Sequence, residues 1–333
     1  MHGNDEKGDT MKFVAYETVF PPDGRLCGCA DCLPLEDGSL IAVWEKERGT
    51  SWTIMGAIRD PKGKWSDPRV IVPNDKTLRR YPVLFRGLGG VIVLMCRAGA
   101  VSSDTLHTEQ YLSYDNGVTF EHPTRVDTEG DKIGGPSRGN ILRLEDGTLL
   151  CGGMTPGGEC GAYVYRSENG GDDWTRSEVI SLPERYKTYR PEGVGLWSPS
   201  LWSEGGEYVH ALMRSSAGYV FRADSVDGGR TWTQPYPLNV ANSNSPICGL
   251  SLPDLRVLLL CNPSPIPEGK ERGKRSPLVL YESTTGGCTF KRITVLATGY
   301  GEFTYPSMKH ENGKLYITFT KNKTEIELVI IEL

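Results

Sequence analysis

The apolar positions of this chain recur in short runs that are separated by polar turns. A turn followed by an apolar strand appears six times, and each run is rich in leucine, β-branched and aromatic residues. Such runs are typical of buried β-strands. No stretch shows the long 3.6-residue periodicity of helices. The six copies are LEDGSLIAVW (35–44), GLGGVIVLMC (87–96), LEDGTLLCGG (144–153), SEGGEYVHALM (203–213), LPDLRVLLLC (252–261) and HENGKLYITFT (310–320).

A second, polar element repeats in step with these strands and fits S-x-[DNT]-x-G-x-[TD]-[FW]. Asp115 and Asp227 are expected to accept hydrogen bonds from backbone amides two residues on, as in an Asx turn. The glycine supplies a position of positive φ, and the final aromatic residue is expected to pack beneath the turn. We therefore interpret these turns as structural staples. The copies are SYDNGVTF (113–120), SENGGDDW (167–174), SVDGGRTW (225–232) and STTGGCTF (283–290).

Repeats of 40–60 residues that carry several short strands are typical of propeller blades. Six strand elements at a mean spacing near 55 residues predict an all-β fold, a six-bladed β-propeller with four-stranded antiparallel blades. The last blade lacks a polar turn of its own, so MKFVAYETVF (11–20) is expected to pair with TEIELVIIEL (324–333) and close the ring. No break in composition divides the chain. We predict one domain over residues 1–333, with residues 1–10 flexible.

Composition and charge narrow the classes of partner. A hydrophobic fraction of 38% supports a packed core, and a net charge of -5 argues against nucleic acid or an anionic membrane as partner. No apolar run approaches the roughly 18 residues of a membrane span. An anionic small substrate remains compatible with this charge, because a few arginines can cluster inside an acidic protein.

The cysteines and the N-terminus bear on location and on metal binding. The N-terminal residues show no apolar segment of the kind that a signal peptide needs, which predicts a cytoplasmic protein, or an exported one if a leader has been removed. In the cytoplasm the nine cysteines are expected to be reduced thiols. Cys27, Cys29 and Cys32 form C-x-C-x-x-C, but a fourth ligand at zinc-like spacing is missing. We interpret them as small buried residues and expect neither a metal nor a cofactor.

The polar turns resemble the Asp-box, or BNR repeat, and residues 15–333 resemble the sialidase (neuraminidase) superfamily of six-bladed propellers. An Asp-box marks the architecture and not the activity, so function must be argued from the site. The resemblance implies three arginines that bind a carboxylate sugar. It also implies a tyrosine nucleophile activated by a glutamate, and an aspartate that acts as acid and base.

Three segments match that site residue by residue. Arg214 in ALMRSSAGYVFRADSVDGG resembles the second arginine, and Arg275 in LLLCNPSPIPEGKERGKRSPLVLYES resembles the third. Tyr305 in GEFTYPSMKHENGKLYITF resembles the nucleophile. A guanidinium binds a carboxylate through two parallel hydrogen bonds. A phenolate can attack the anomeric centre without repulsion from the substrate's own carboxylate, a known exception to the two-carboxylate mechanism of glycosidases.

The stretch RLCGCADCLPLEDGSL (25–40) departs from the family. The position of the first arginine falls on Gly28, and Arg25 lies three residues early. Glu45 resembles the acid that supports that arginine. The following segment holds no aspartate where the acid/base belongs, so Asp31 is the nearest alternative. Glu192, in RPEGVGLWSPSLW, lies close to the place of the tyrosine's glutamate partner.

Other polar and aromatic residues are weaker candidates, each with a structural alternative. Arg138 in GGPSRGN and Arg190 in YRPEG could each replace the missing arginine, or could form ordinary salt bridges. Asn242 and Asn244 could bond sugar hydroxyls. Trp197 could stack on a pyranose ring, or could pack within its blade.

Together these residues predict a retaining glycoside hydrolase of the EC 3.2.1 class, similar to an exo-α-sialidase, that removes a terminal acidic sugar from a glycan. Tyr305 is the expected nucleophile, Glu192 its base and Asp31 the acid/base, and Arg214 and Arg275 bind the carboxylate. Two alternatives stay open. One is a polysaccharide lyase acting on a uronic acid, in which Tyr305 moves a proton. The other is a carbohydrate-binding propeller without catalysis.

Overall fold

The computed structural model describes residues 11–73, 75–100, 106–126, 139–154, 159–187 and 193–333. Three predicted site residues, Arg138, Arg190 and Glu192, lie outside this part of the chain, as do residues 1–10, so their predicted roles stay predictions. No helix among the described residues has the length and apolar character needed to cross a membrane.

The described chain folds into six blades arranged as a propeller ring, which confirms the predicted fold. Each blade is an antiparallel sheet of four strands, and the fourth carries one extra parallel strand at its inner edge. Two short 3₁₀ turns lie at Leu88–Gly90 and Glu184–Tyr186. Blade 1 contains β2 (Cys27–Pro34), β3 (Leu40–Arg48), β4 (Ser51–Arg59) and β5 (Arg69–Val70), and blade 2 contains β6 (Leu78–Arg86), β7 (Ile92–Gly99), β8 (His107–Ser113) and β9 (Glu121–Val126). Blade 3 contains β10 (Leu142–Arg143), β11 (Leu149–Met154), β13 (Ala162–Ser167) and β14 (Thr175–Arg176), and blade 4 contains β15 (Val194–Gly205), β16 (Tyr208–Ser215), β17 (Tyr219–Ser225) and β18 (Tyr236–Ala241), with β12 (Glu159–Cys160) as its extra strand. Blade 5 contains β19 (Cys248–Ser251), β20 (Val257–Cys261), β21 (Leu278–Ser283) and β22 (Lys291–Ala297), and blade 6 contains β1 (Lys12–Phe20), β23 (Phe303–Glu311), β24 (Lys314–Lys321) and β25 (Glu325–Glu332).

The two ends of the chain close the ring within blade 6. Strand β1 pairs antiparallel with β25, from Lys12 opposite Glu332 to Phe20 opposite Ile326. The predicted pairing of the N-terminal segment with the C-terminal strand is therefore confirmed. The ring is completed by backbone hydrogen bonds rather than by side-chain packing alone.

The core lies between the blades, in six apolar clusters that each join two neighbouring sheets. Strand β20 shows why the apolar runs are continuous. Leu258 and Leu260 pack towards blade 6, whereas Val257, Leu259 and Cys261 pack towards blade 4. Because successive side chains of a strand point to opposite faces, a sheet buried on both faces needs apolar residues at every position.

The four polar turns connect the third and fourth strands of blades 2 to 5, and they share one hydrogen-bond pattern. In the third copy the Gly229 amide donates to Ser225 Oγ at 2.9 Å, and the Thr231 amide donates to Asp227 Oδ1 at 2.9 Å. The amide bonded by the carboxylate lies four residues on, so the predicted spacing of two residues was wrong. The glycine has a φ of 85°, as predicted. In the fourth copy Thr285 takes the place of the aspartate.

Candidate functional site

The innermost strand of each blade begins near the axis of the ring, and four of these strands carry the same bulge. The register of β2, β6, β15 and β23 shifts by one residue near its start. Each shift coincides with a residue other than glycine at positive φ, a strained conformation that tends to occur at functional sites. These residues are Cys29 (49°), Tyr81 (58°), Ser198 (51°) and Tyr305 (54°).

One cavity of about 280 Å³ brings three predicted residues together, although they are far apart in the sequence. Arg214, Arg275 and Tyr305 all line it. Arg214 ends β16, Arg275 precedes β21, and Tyr305 lies on the bulge of β23. Three blades therefore supply the two guanidiniums and the phenol. The other lining residues are Tyr81, Met154, Gly193, Trp197, Asn244, Glu271 and Arg272.

Arg214 is held between blades 4 and 5. Its guanidinium lies over the ring of Trp197, 5.4 Å from the centroid, and its Nη1 donates to the Asn244 backbone oxygen at 3.2 Å. Asn244 has a φ of 57°, and its Nδ2 donates to the Glu271 backbone oxygen. Trp197, a candidate for sugar stacking, thus supports the arginine from beneath, where a cation–π contact adds to packing.

Arg275 is buried with few partners. The residue is 6% exposed, and its Nε and Nη1 have no hydrogen-bond partner among the described residues. Its Nη1 lies 3.8 Å from Glu302 Oε2, and its guanidinium lies 5.7 Å from the centre of the Tyr305 ring. Buried polar groups are normally hydrogen-bonded, and this guanidinium in the cavity wall is not fully bonded.

A buried side chain ties the segments of Arg275 and Tyr305 together. Asn262 is fully buried, and its Nδ2 donates to the backbone oxygens of Pro277 at 2.8 Å and Phe303 at 3.0 Å. The Phe303 amide in turn donates to the Arg275 backbone oxygen at 2.8 Å. Both segments are therefore fixed relative to each other, which is the kind of support that a preorganised site requires.

Glu45 has a different partner from the one predicted. The position of the missing arginine, Gly28, faces blade 6, where an added Cβ would meet Thr320 Oγ1 at 3.3 Å. Arg25 is exposed on the β1–β2 loop and is not among the residues that line the cavity. Glu45 instead accepts hydrogen bonds from Arg80 Nη2 at 2.7 Å, Arg80 Nε at 3.2 Å and the Tyr81 amide at 2.9 Å.

Arg80, which sequence reasoning did not consider, lies next to Tyr81 of the cavity wall but is not itself among the lining residues. Its guanidinium stacks between the rings of Trp52 at 4.3 Å and Tyr81 at 4.9 Å, and its side chain is partly exposed. Hydrogen bonds from the guanidinium to Glu45 and the neighbouring charge raise the pKa of Arg80, against the opposing effect of burial. A sequence signal exists, because RYPV (80–83) and TYPS (304–307) place Tyr-Pro at the same point of two inner strands.

Asp31 lies in a smaller axial cavity beside the arginine-lined one, together with Tyr81, Ser307 and Tyr305. Its Oδ1 accepts from Ser307 Oγ at 2.5 Å and its Oδ2 from the Leu84 amide at 2.8 Å. The Lys309 ammonium lies 3.3 Å from Oδ2. The structure does not bring Asp31 into the cavity lined by Arg214 and Arg275, and the carboxylate joins blades 1, 2 and 6.

The cysteine motif of β2 is dispersed. Cys27 and Cys32 pack into the apolar cluster between blades 6 and 1, whereas Cys29 lines the axial cavity. Burial raises the pKa of Cys27 to about 12 and raises that of Cys32 further, so both thiols stay protonated. Within the described residues no group of three or more cysteine, histidine or acidic side chains is arranged to hold a metal ion.

Comparisons with known proteins agree with this architecture. The BNR repeat-like domain matches residues 38–317. A protein of unknown function from Dyadobacter fermentans superposes with a TM-score of 0.76 at 16% identity, covering 98% of this chain and 100% of that one. A Hadza microbial sialidase gives 0.72 at 15% identity, over 92% of this chain and 66% of that one. The NanB sialidase from Streptococcus pneumoniae gives 0.72 at 11% identity, over 96% and 70%.

Because the sequence identities are all low, these structural similarities show a shared fold and nothing beyond it. A sequence comparison with curated proteins finds no match. The domain match, however, spans most of the chain and includes the four polar turns. Because the domain match covers most of a chain that has six blades and four Asp-box turns, the protein belongs to the BNR repeat-like domain family, within a sialidase-like β-propeller fold.

Proposed function

We propose that the protein is a retaining glycoside hydrolase that removes a terminal acidic sugar, sialic-acid-like, from a glycan. One observation carries the proposal: Arg214, Arg275 and Tyr305 line a single cavity. Sialidases are among the similar structures, and one of them, from Trypanosoma rangeli, is a covalent intermediate with a 2,3-difluorosialic acid. Glycan binding by those proteins supports a carbohydrate partner here.

The arginines would bind the substrate, and Tyr305 would react with it. Arg214 and Arg275 would bind the sugar carboxylate through paired hydrogen bonds. This would orient the anomeric carbon over the Tyr305 hydroxyl, and the bulge at φ 54° fixes the direction of that side chain. Arg80 is a candidate third cation beside the cavity, because Glu45 and two aromatic rings hold it next to the lining residue Tyr81; Arg272 is the third guanidinium in the cavity wall itself.

Tyr305 needs a base that accepts its proton before it attacks. Glu192 remains the predicted partner. Glu271 is a second candidate, because it is the acidic residue among the described ones that line the cavity. The Glu192→Gln and Glu271→Gln variants separate the two, since loss of the base lowers turnover and removes the acidic limb of the pH–rate profile. The other variant keeps that limb.

The experiment is a screen of purified protein on fluorogenic acidic aryl glycosides, sialosides first and uronides next. Aryl leaving groups need little protonation, so these substrates can be turned over even if the enzyme provides only a weak general acid. We expect Tyr305→Phe to lower turnover by about 10³-fold, the scale of a lost nucleophile. Its thermal unfolding should match the parent. A Tyr305→Phe variant with parental turnover would remove the tyrosine from the mechanism.

A lyase that acts on uronic acids is the second candidate, and the position of Asp31 favours it. A hydrolase needs an acid for the leaving group, whereas Asp31 lies outside the arginine-lined cavity. In a lyase, arginines neutralise the carboxylate while a tyrosine moves the proton. Ultraviolet absorbance of an unsaturated product separates lyase from hydrolase. Tight binding of an acidic sugar with no product of either kind would indicate a binding protein.

A further inference from the structure

A groove of about 800 Å³ opens beside the arginine-lined cavity, at the boundary of blades 5 and 6. Three segments form it: residues 272–277, 298–302 and 322–323. Arg272 and Arg275 line both the groove and the cavity. A ligand that leaves the cavity on this side therefore enters the groove directly.

The groove is positively charged in an otherwise acidic protein. Arg272, Lys274, Arg275 and Lys323 line it, and Glu302 is the acidic residue among its described walls. Arg272 and Lys274 are exposed, and the Lys323 side chain is about half exposed. The whole chain has a net charge of -5. A local excess of cations against that background attracts anions and selects for anionic ligands.

The groove also holds incompletely bonded polar groups. Arg275, nine-tenths buried, presents Nε and Nη1 without a hydrogen-bond partner in the described chain. Glu302 holds its neighbours loosely, at 3.8 Å from Arg275 Nη1 and 3.5 Å from Lys323 Nζ. Both distances exceed those of a good charged hydrogen bond. The exposed Lys323 ammonium is therefore not held by a strong ion pair, whereas Arg275 Nε and Nη1 are enclosed in the wall of the groove.

Backbone contacts fix the walls of the groove. The Asn322 amide donates to the Glu302 oxygen at 2.8 Å, and the Glu302 amide donates to Asn322 Oδ1 at 3.1 Å. At Gly301, with a φ of 103°, an added Cβ would lie 2.0 Å from Asn322 Oδ1. Ser276 Oγ donates to the Gly299 oxygen at 3.0 Å. A groove that is rigid before binding loses little entropy when a ligand enters.

Tyr300 stands fully exposed on this fixed loop. An aromatic ring with a polar tip can cover the apolar face of a sugar while its hydroxyl stays in water. Given the proposed function, we propose that the groove binds the next residues of an acidic glycan. At least one of those residues carries a second anionic group, carboxylate or sulfate, which Lys274 and Lys323 recognise. The substrate is then a polyanionic chain rather than a single acidic sugar on a neutral glycan.

The test measures binding in the Tyr305→Phe background, so that no probe is cleaved. Calorimetric titrations at low ionic strength compare free sialic acid with its linear trimer. We expect the trimer to bind at least about tenfold more tightly, because two partly exposed ion pairs contribute on this scale. Added salt should reduce the difference. In Lys274→Gln/Lys323→Gln, trimer affinity should fall about tenfold while the affinity of the single sugar is unchanged.

A matched control removes two exposed lysines far from the groove. Lys62→Gln/Lys291→Gln changes the net charge equally, and its trimer affinity should equal that of the parent. If the single sugar binds but the trimer gains nothing, or if both double variants behave alike, the groove proposal is overturned while the proposed function stands.

If neither sialic probe binds, the sialic form of the proposed function fails and a second probe decides the groove. This probe is a chondroitin sulfate tetrasaccharide, which combines uronate carboxylates with sulfates. Binding that weakens about tenfold in Lys274→Gln/Lys323→Gln, but not in the control, supports the groove, and the same titration with the desulfated tetrasaccharide distinguishes sulfate from carboxylate as the second anion. Absence of binding overturns it.

Discussion

Two buried arginines of this protein, Arg222 and Arg275, differ in what surrounds them. Their exposures are nearly equal, at 5% and 6%. Arg222 lies on β17 and donates from Nε to Asp224 Oδ1 at 2.7 Å and from Nη1 to the Gly286 backbone oxygen, and its Nη2 lies 2.9 Å from His210 Nδ1. Among the described residues, the Arg275 guanidinium has a loose contact with Glu302 at 3.8 Å and a contact with the ring of Tyr305. Burial alone does not reveal a role, whereas the hydrogen-bond partners do.

The same contrast separates the two regions that contain them. The Arg222 guanidinium itself is bonded to the third strand of blade 4 and to the polar turn of blade 5, although His210 Nε2 and Trp202 Nε1 beside it have no hydrogen-bond partner among the described residues. Around Arg275, the cavity collects strained tyrosines and incompletely bonded donors. Natural proteins tolerate backbone strain and unsatisfied donors at sites where contacts with a bound ligand offset them. The comparison predicts that variants of the two arginines will fail in opposite ways.

The largest expected effect is that of Arg275→Met on acidic-sugar binding. Loss of a buried guanidinium that pairs with a carboxylate costs about 3–5 kcal/mol, or roughly 10²- to 4 × 10³-fold in affinity. Stability should stay at the parental level or rise, because a buried and incompletely bonded charge is removed. Calorimetric binding and thermal unfolding of the same sample check both statements. A stability loss with unchanged binding would reverse the assignment.

The matched variant is Arg222→Met, which should leave binding unchanged and reduce stability. It leaves Asp224 partly buried without its charged arginine partner, which costs about 3 kcal/mol. Urea unfolding measures the loss, and the same titration with acidic sugar provides the control. If Arg222→Met weakens sugar binding as much as Arg275→Met does, the contrast between the two regions fails.

Much of the fold could be predicted because its signals are local. Each polar turn is specified by side chains four residues apart, such as Asp227 and Thr231, and each apolar run is specified by burial of both sheet faces. These patterns repeat along the sequence, so the number of blades and the closure by β1 follow from counting. The match of Arg214, Arg275 and Tyr305 to a known family rests on similar local segments.

The rest of the site depends on contacts between blades, which no local pattern encodes. Arg80 stands beside Tyr81 and meets Glu45 from the preceding blade, 35 residues earlier in the chain. Asp31 is bonded by Ser307 from the opposite end of the sequence. A count of positions from a family motif placed the missing arginine at Gly28, where blade 6 faces the backbone. Sequence spacing could not show that Glu45 pairs with a guanidinium from the neighbouring blade.

Arg80 either binds the substrate, as proposed for Arg275, or has a structural role like that of Arg222. If Arg80 contacts the substrate, Arg80→Gln should raise KM about tenfold with little change in kcat, because a partly exposed charge contact contributes about 1–1.5 kcal/mol. Glu45→Gln should show a smaller effect of the same kind, since it loosens the guanidinium without removing it. A fall in stability with an unchanged KM would make Arg80 a joint like Arg222.

A smaller effect is expected from the polar turns themselves. Asp227→Ala removes hydrogen bonds from the Thr231 amide and hydroxyl, and should cost about 1–2 kcal/mol in the free energy of unfolding. Asp227→Thr should recover part of this loss, because the fourth copy already uses Thr285 at the same point. Equilibrium unfolding in urea ranks the three proteins. Sugar binding should be identical in all of them, and a change there would link the turns to the site.

The smallest expected effect is a pH dependence that belongs to the Arg222 region. Burial would raise the pKa of Asp224, but hydrogen bonds from His210, Arg222 and Tyr236 hold it at about 2, below the ordinary 3.8. A carboxyl whose pKa is lowered by folding contributes stability that is complete above its unfolded value. That contribution disappears as the pH falls from 3.8 towards 2. Over this window the stability of the parent should fall more steeply than that of Asp224→Asn, which has no carboxyl to protonate.

Asp172→Asn, a change at an exposed carboxylate, serves as the matched control for that slope. Unfolding in urea at successive pH values gives the slope for each protein, and the difference from the parent isolates Asp224 from the other acids. The slope of Asp172→Asn should follow the parent. If the slope of Asp224→Asn also follows the parent, the Asp224 carboxylate of the parent is not stabilised by Arg222 in the folded state. The network around Arg222 would then be no better bonded in solution than the surroundings of Arg275, and the contrast between the two arginines would lose its energetic basis.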